Sequence, residues 1–201
     1  MRHCSFIDIT SRFMAAGGQK LYGPVILENC RLIRSGRSSI EIHDLQNITI
    51  RRNVFYQHEN AIRILGGTPV VENNLFIQNV RALWIHEGAA PVVRRNQFSD
   101  HSSEAIIIDS GGLVLSENNF SENTLNIRLQ GSEDVPARGN WWGSADSARI
   151  EALIHHHSDD PGLGEVLFRP FAETPWELNV PPFDPAAFPQ KTRRIHSRPG
   201  K

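Results

Sequence analysis

A short phrase of alternating apolar residues recurs along the chain, each time running into Asn, one further residue, and a large apolar residue. It reads Val-Ile-Leu-Glu-Asn-Cys30-Arg-Leu32, Ile-Thr-Ile-Arg-Arg-Asn53-Val-Phe55, Val-Val-Glu-Asn-Asn74-Leu-Phe76, Val-Val-Arg-Arg-Asn96-Gln-Phe98, Val-Leu-Ser-Glu-Asn118-Asn-Phe120 and finally Asn140-Trp-Trp142. The steps from Cys30 through Asn140 are 23, 21, 22, 22 and 22 residues. Cys4-Ser-Phe6 lies 26 residues before Cys30 and reads as a degenerate first coil. After each phrase comes a second alternating run: Ile40-Glu-Ile42, Ile62-Arg-Ile64, Leu83-Trp-Ile85, Ile106-Ile-Ile108 and Ile127-Arg-Leu129. Period-two alternation predicts strands, with residues 40, 62, 83, 106 and 127 and their neighbours two positions on facing inward.

A fixed period of this length, made of strands and polar turns such as Gly66-Gly67, predicts a solenoid of stacked coils. Helical repeats are excluded, and leucine-rich repeats fit poorly because the inward residues are Ile, Val and Phe, which suit β ladders. Coils stacked at ~4.8 Å set equivalent side chains over one another. Asn53, Asn74, Asn96, Asn118 and Asn140 should form an inward amide ladder, beside a stack of Phe55, Phe76, Phe98 and Phe120. The expected fold is all-β, a parallel β-helix of about six coils of ~22 residues.

The Asn-x-Phe ladder resembles the right-handed parallel β-helix repeat of the pectate-lyase-like superfamily. Gly139-Asn-Trp-Trp-Gly143, followed by Asp159-Asp160 and Gly164-Glu-Val-Leu-Phe-Arg-Pro170, is similar to the terminal segment of many β-helix repeat proteins. The resemblance covers residues 4 to 171 and implies a right-handed coil. It implies no particular activity, since no clustered Asp pair or Arg base beside calcium-binding carboxylates matches the superfamily's hydrolase or lyase motifs.

Three regions are expected: coils over 1–143, a cap over 144–171, and a proline-rich arm with a basic tail over 172–201. Ile150, Leu153, Ile154 and His157 share one face of a predicted capping helix over 146–157, with Ser144 or Asp146 as N-cap. A strand over 165–169 should pair alongside the last coil. Pro175, Pro181, Pro182, Pro185 and Pro189 predict an extended or disordered arm, and Trp176, Phe183 and Phe188 favour one that docks. Lys191, Arg193, Arg194, Arg198 and Lys201 make the tail basic. The N-terminal coil has no comparable cap, which predicts self-association or a longer parent chain at that end.

Outward residues also align. Glu28, Arg51, Glu72, Arg94 and Ser116 predict a ladder of exposed ion pairs. Ile26, Thr49, Val70, Val92 and Val114 predict an apolar stripe, with the arm as its first expected cover. The second strand presents Glu41, Arg63, Trp84, Ile107 and Arg128, then His43, Leu65, His86, Asp109 and Gln130, with Asp44, Gly66, Glu87, Ser110 and Gly131 at the edge. An exposed Trp84 between Arg63 and Arg128, with Glu41, His86, Glu87 and Asp109 nearby, has the composition of a polysaccharide-binding strip, an aromatic face for a sugar ring and charged groups for hydroxyls or uronate carboxylates. An ordinary solvated sheet face has a similar composition.

Charge and composition narrow the classes. The 21 basic and 22 acidic residues give a net charge of −1, so no global field favours nucleic acid. No apolar run approaches the ~18 residues of a membrane span. The opening residues do not read as a signal peptide, which predicts a cytoplasmic chain or a fragment of an exported one. Cys4 and Cys30 are expected as free thiols, and His155-His156-His157 as part of the cap, with no metal or other cofactor. The leading reading is a non-catalytic binding or scaffold module contacting polysaccharide. One alternative is a polysaccharide hydrolase or lyase using Asp44, Glu87, Asp109 or His86, since Asp44 and Glu87 two coils apart approach the spacing of an inverting carboxylate pair. The other is an assembly unit docking another chain at its N-terminal coil.

Overall fold

The computed structural model describes residues 1–7, 14–17 (backbone only), 23–35 and 37–188. Each repeat makes three strands, because the recurring phrase bends at its Asn. One turn runs Ile48–Arg51, Val54–Tyr56 and Asn60–Ile64. Successive turns stack in parallel into three sheets. Sheet 1 carries Val25–Glu28, Ile48–Arg51, Val70–Glu72, Val92–Arg94 and Val114–Ser116; sheet 2 runs from Ser5–Ile7 to Asn119–Ser121; sheet 3 runs from Met14–Gly17 to Ile154–His155. The register keeps like over like, with Phe76 paired to Phe55 and Phe98, and Leu83 to Ile62 and Ile106. Five complete three-strand turns result among the described residues, rather than about six. In the sixth, Val135–Pro136 leaves sheet 1 and pairs instead with Val166–Leu167.

Two corners turn the chain in every coil. Asn29, Arg52, Asn73, Arg95 and Glu117 leave sheet 1 in the left-handed region (φ 53–55°), and Arg34, Gln57, Gln78, Asp100 and Glu122 do the same after sheet 2 (φ 51–58°). Such backbone costs a non-glycine residue roughly 1–2 kcal/mol, and the residue after each offsets it through a ladder of hydrogen bonds. At the first corner, Asn74 Oδ1 accepts from both the backbone N–H and Nδ2 of Asn53 at 3.0 Å, while Asn74 Nδ2 donates to Ile50 O and to Asn96 Oδ1. The pattern repeats through Asn96, Asn118 and Asn140, all fully buried.

A second ladder, absent from the sequence expectations, occupies the other corner: Ser35, His58, Asn79, His101 and Asn123. Each backbone N–H donates to the next side chain, Ser35 to His58 Nδ1 (2.9 Å), His58 to Asn79 Oδ1 (2.9 Å), Asn79 to His101 Nδ1 (3.2 Å) and His101 to Asn123 Oδ1 (3.1 Å). Since Nδ1 accepts, both imidazoles are neutral with the proton on Nε2, which in His58 donates to Leu32 O. Burial pushes the His58 pKa down to about 4, against the opposing pull of its hydrogen bond to Leu32 O, and that of His101 down to about 3.

Between the corners, Phe55, Phe76, Phe98 and Phe120 stack at centroid distances of 4.8 to 5.1 Å, and Trp142 continues the stack at 4.7 Å. The inward columns of sheet 3, from Ile40 and Ile42 to Ile127 and Leu129, are wholly buried. Cys4 and Cys30 are free, and the Cys30 N–H donates to Asn53 Oδ1 at the start of the first ladder.

The cap differs from expectation. The helix α1 spans only Ser147–Glu151, with Asp146 as N-cap and the Ser144 hydroxyl accepting from the Asp146 N–H. Ile154–His155 is instead a strand paired to Leu125–Leu129, because that edge would otherwise be left unpaired. His157 is consequently exposed, and His156 is the buried member, hydrogen-bonded to Glu151 and to the Val166 N–H.

The arm docks, but not over the apolar stripe of sheet 1, where Val114 remains 51 % exposed. It runs back along sheet 2. The Trp176 backbone exchanges two 2.9 Å hydrogen bonds with the Asn119 side chain. Phe183 packs on Tyr56 at 5.0 Å, and Phe188 joins it beside Ile33, Val54, Leu75 and Ile77. Leu75 and Ile77 offer sheet 2 a more continuous apolar face than sheet 1 has. Pro189 and the basic residues from Lys191 onward lie outside the described residues.

Two predictions follow from the ladders. Asn96→Ala removes the acceptor of two buried donors of Asn74 and should lower unfolding free energy by roughly 2–5 kcal/mol in urea titrations. In acid the unfolded chain binds protons at His58 and His101 from near 6.5 downward, while the folded chain refuses them until about 4 and about 3, so stability falls with pH across that window. The double substitution His58→Asn with His101→Asn, which repeats the residue at Asn79 and Asn123, should flatten the pH dependence of the melting temperature there.

Candidate functional site

The outward face of sheet 3 carries the candidate residues, and the register places Glu41, Arg63, Trp84, Ile107 and Arg128 in one row across five turns. Glu41, Arg63 and Trp84 are joined by hydrogen bonds through His86 and Asp109. Arg63 Nη1 donates to Glu41 Oε1 at 3.2 Å, and its Nε and Nη2 both point at His86 Nε2, at 3.3 and 3.1 Å. With Nε2 accepting, His86 carries its proton on Nδ1, which donates to Asp109 Oδ2 at 3.0 Å. The other oxygen, Asp109 Oδ1, accepts from Trp84 Nε1 at 3.0 Å. Burial, assisted by the Arg63 charge, holds the His86 pKa below its ordinary value despite the Asp109 carboxylate.

Trp84 is half-buried, not an open platform. Its ring stacks with His86 at 4.7 Å, and the Arg63 guanidinium lies 5.1 Å from its centroid. Small strand residues do not cover these rings, so neighbouring long side chains fold over them.

One step along the strands lies a second knot that the sequence reading passed over. Arg81 Nε and Arg128 Nε clamp the two oxygens of Glu104 at 3.0 and 2.9 Å, and the Ser103 hydroxyl donates to it at 2.6 Å. Burial pushes the Glu104 carboxyl up, but the hydrogen bonds of Ser103, Arg128, its own backbone and Arg81 together outweigh it and hold the pKa at about 2. Each arginine spends its Nε on Glu104, and its terminal nitrogens make no hydrogen bond among the described residues, with side chains 29 % and 37 % exposed. The signal in the sequence was the charge order Arg81, Glu104, which falls in one column at the strand starts.

The proposed carboxylate pair is not aligned. Ile64 pairs with Ile85, yet Gly67 bridges Ala89, so the register slips by one residue between them. Glu87 sits in the resulting turn and is exposed, whereas Asp44 lies against Gly66, where an added Cβ would fall 2.0 Å from Asp44 Oδ1. The three consecutive histidines diverge likewise: His155 faces Asp159, His156 faces Glu151 and His157 faces Leu163 O. Among the described residues no cluster of three metal-ligating side chains exists.

A stack of parallel three-strand turns with asparagine corners defines a β-solenoid. The family described as right handed beta helix region matches residues 1–142, and the chain belongs to it. No curated protein and no solved structure matches.

Glu104→Gln should destabilise the protein by roughly 1–3 kcal/mol at neutral pH by weakening two charge-assisted clamps. A depressed carboxyl stabilises above its unfolded value and loses that contribution as pH falls through about 2, so the difference from the unsubstituted chain should shrink between pH 4.5 and 2 in denaturant titrations.

Proposed function

We propose that this chain is a non-catalytic binding module whose sheet 3 face recognises an acidic polysaccharide. The observation that carries the reading is the pair Arg81 and Arg128, held by a common buried carboxylate with their terminal nitrogens free for a ligand's anionic groups. Guanidinium groups already fixed in place lose little side-chain freedom on binding. Their backbone positions stand two coils apart along the stack, ~10 Å at ~4.8 Å per coil, and the guanidinium groups converge from either side on Glu104, which suits the successive charges of a polymer lying along the solenoid axis. Trp84, Arg63, Glu41, His86 and Asp109 continue the strip.

The same connections weigh against hydrolysis or elimination. Asp109 has both oxygens engaged, Glu104 is held ionised, and the basic nitrogen of His86 faces a guanidinium rather than open space. A general acid or base needs a titratable group within reach of substrate.

Affinity electrophoresis through polygalacturonate, with a neutral glucan as control, tests the reading. Arg128→Ala and Arg81→Ala should each weaken retardation about 5- to 10-fold, as loss of one charge-assisted contact predicts, and Trp84→Ala should weaken it less. Unchanged retardation of both arginine variants sinks the strip. Release of reducing ends or unsaturated products would assign the chain to the enzymes instead.

A further inference from the structure

The last two turns each depart from the chain's own repeat at one buried position, and both departures add an N–H donor. In sheet 3 the register aligns Ser39, Ala61, Ala82 and Ala105 with Asn126. In the aromatic stack, Phe55, Phe76, Phe98 and Phe120 are followed by Trp142. Both residues are 1 % exposed, and neither Asn126 Nδ2 nor Trp142 Nε1 has a hydrogen-bond partner. The amide orientation is determined by the network. Asn123 Oδ1 accepts from the His101 N–H, so Asn123 Nδ2 donates to Phe98 O and to Asn126 Oδ1, leaving Asn126 with its Nδ2 free.

These two residues line one cavity of about 310 Å³ at the end of the second ladder, together with Asn123, Trp141, Ser144 and Arg149. Asn123 is the last rung of that ladder, and the cavity begins where the next rung's acceptor would stand. Packing alone is served by Phe in four earlier turns and by Ala in three, with Ser39, smaller than Asn, in the first, and an unpaired buried donor is costly. Donors with no acceptor, added twice at one cavity, are what a bound acceptor requires.

We propose that this cavity is a binding site for a small carboxylate, whose oxygens accept from Trp142 Nε1 and Asn126 Nδ2 and complete the ladder. Arg149 supplies the counter-charge. Its side chain is 80 % exposed and among the described residues makes only a 4.0 Å contact with Asp146, so it is free to swing aside for entry and close over the occupant. Glu122, the acidic residue on the wall, is exposed and turns to solvent. The site lies at the cap, apart from the strip proposed above, and either reading can fail alone.

Titration of the isotopically labelled full chain with sodium acetate, against sodium chloride at equal ionic strength, reads the indole N–H of Trp142 and the side-chain amide of Asn126 directly. Acetate should move both signals saturably and chloride should not. Trp142→Phe and Asn126→Ala restore the residues of earlier turns, so each should melt no lower than the unsubstituted chain while weakening acetate binding at least about 10-fold, the loss of one charge-assisted hydrogen bond. Arg149→Ala should weaken it about 5-fold. Signals that respond equally to both salts, or a cavity occupied by water only at saturating acetate, overturn the site. So does a Trp142→Phe or Asn126→Ala chain that binds acetate undiminished.

Discussion

A solenoid corner exposes backbone N–H groups to an apolar bore where no water can reach them, and the whole molecule depends on the side chains that accept from them. Sheets supply hydrogen bonds between turns only where the strands run straight. At each of the two corners the chain needs a left-handed residue to bend and an acceptor one coil on to take the N–H it leaves behind. Asn does this at the first corner, with its amide spanning three turns. At the second, His58 and His101 alternate with Asn79 and Asn123, since an imidazole Nδ1 accepts as an amide oxygen does.

The outer face of sheet 3 follows the same rule at the surface. Outward side chains stack at the coil spacing, so opposite charges one turn apart fall into contact, and long arginines lie over the aromatic ring beside them. The result is a face on which charges are fixed rather than mobile. That arrangement suits recognition, which gains from groups held in place, and works against proton transfer, which needs one of them poised to change state.

Much of this was legible in the period. The Asn-x-Phe phrase identified the coil, the first ladder, the aromatic stack and the inward columns of sheet 3, because strict repetition averages out local ambiguity. The second ladder escaped notice because its residue type alternates: Ser35, His58, Asn79, His101 and Asn123 share no letter pattern, only a hydrogen-bonding role. The arm's resting place differs from the expected one for a related reason. The stripe of sheet 1 is β-branched but broken by polar neighbours, whereas Val54-Phe55-Tyr56 and Leu75-Phe76-Ile77 are apolar at every position, the mark of strands covered on both faces. A one-residue slip between Ile85 and Ala89 then separated Asp44 from Glu87, a shift that residue counting from a single reference column does not reveal. The cap helix is shorter than its periodicity predicts because the periodic positions continue into a strand that the solenoid edge requires.

The returning arm has a mechanical consequence. In a stack of identical turns each layer senses only its neighbours, so an end can fray one layer at a time without disturbing the rest. Here Trp176 is fastened at Asn119 and Phe183 at Tyr56, three turns away, while the Arg34 guanidinium reaches the Phe188 carbonyl one turn further still. Loosening an early layer therefore releases the strap that also holds a late one. The arm makes layers that never touch share a common fate, and turns a chain of pairwise contacts into a single cooperative unit.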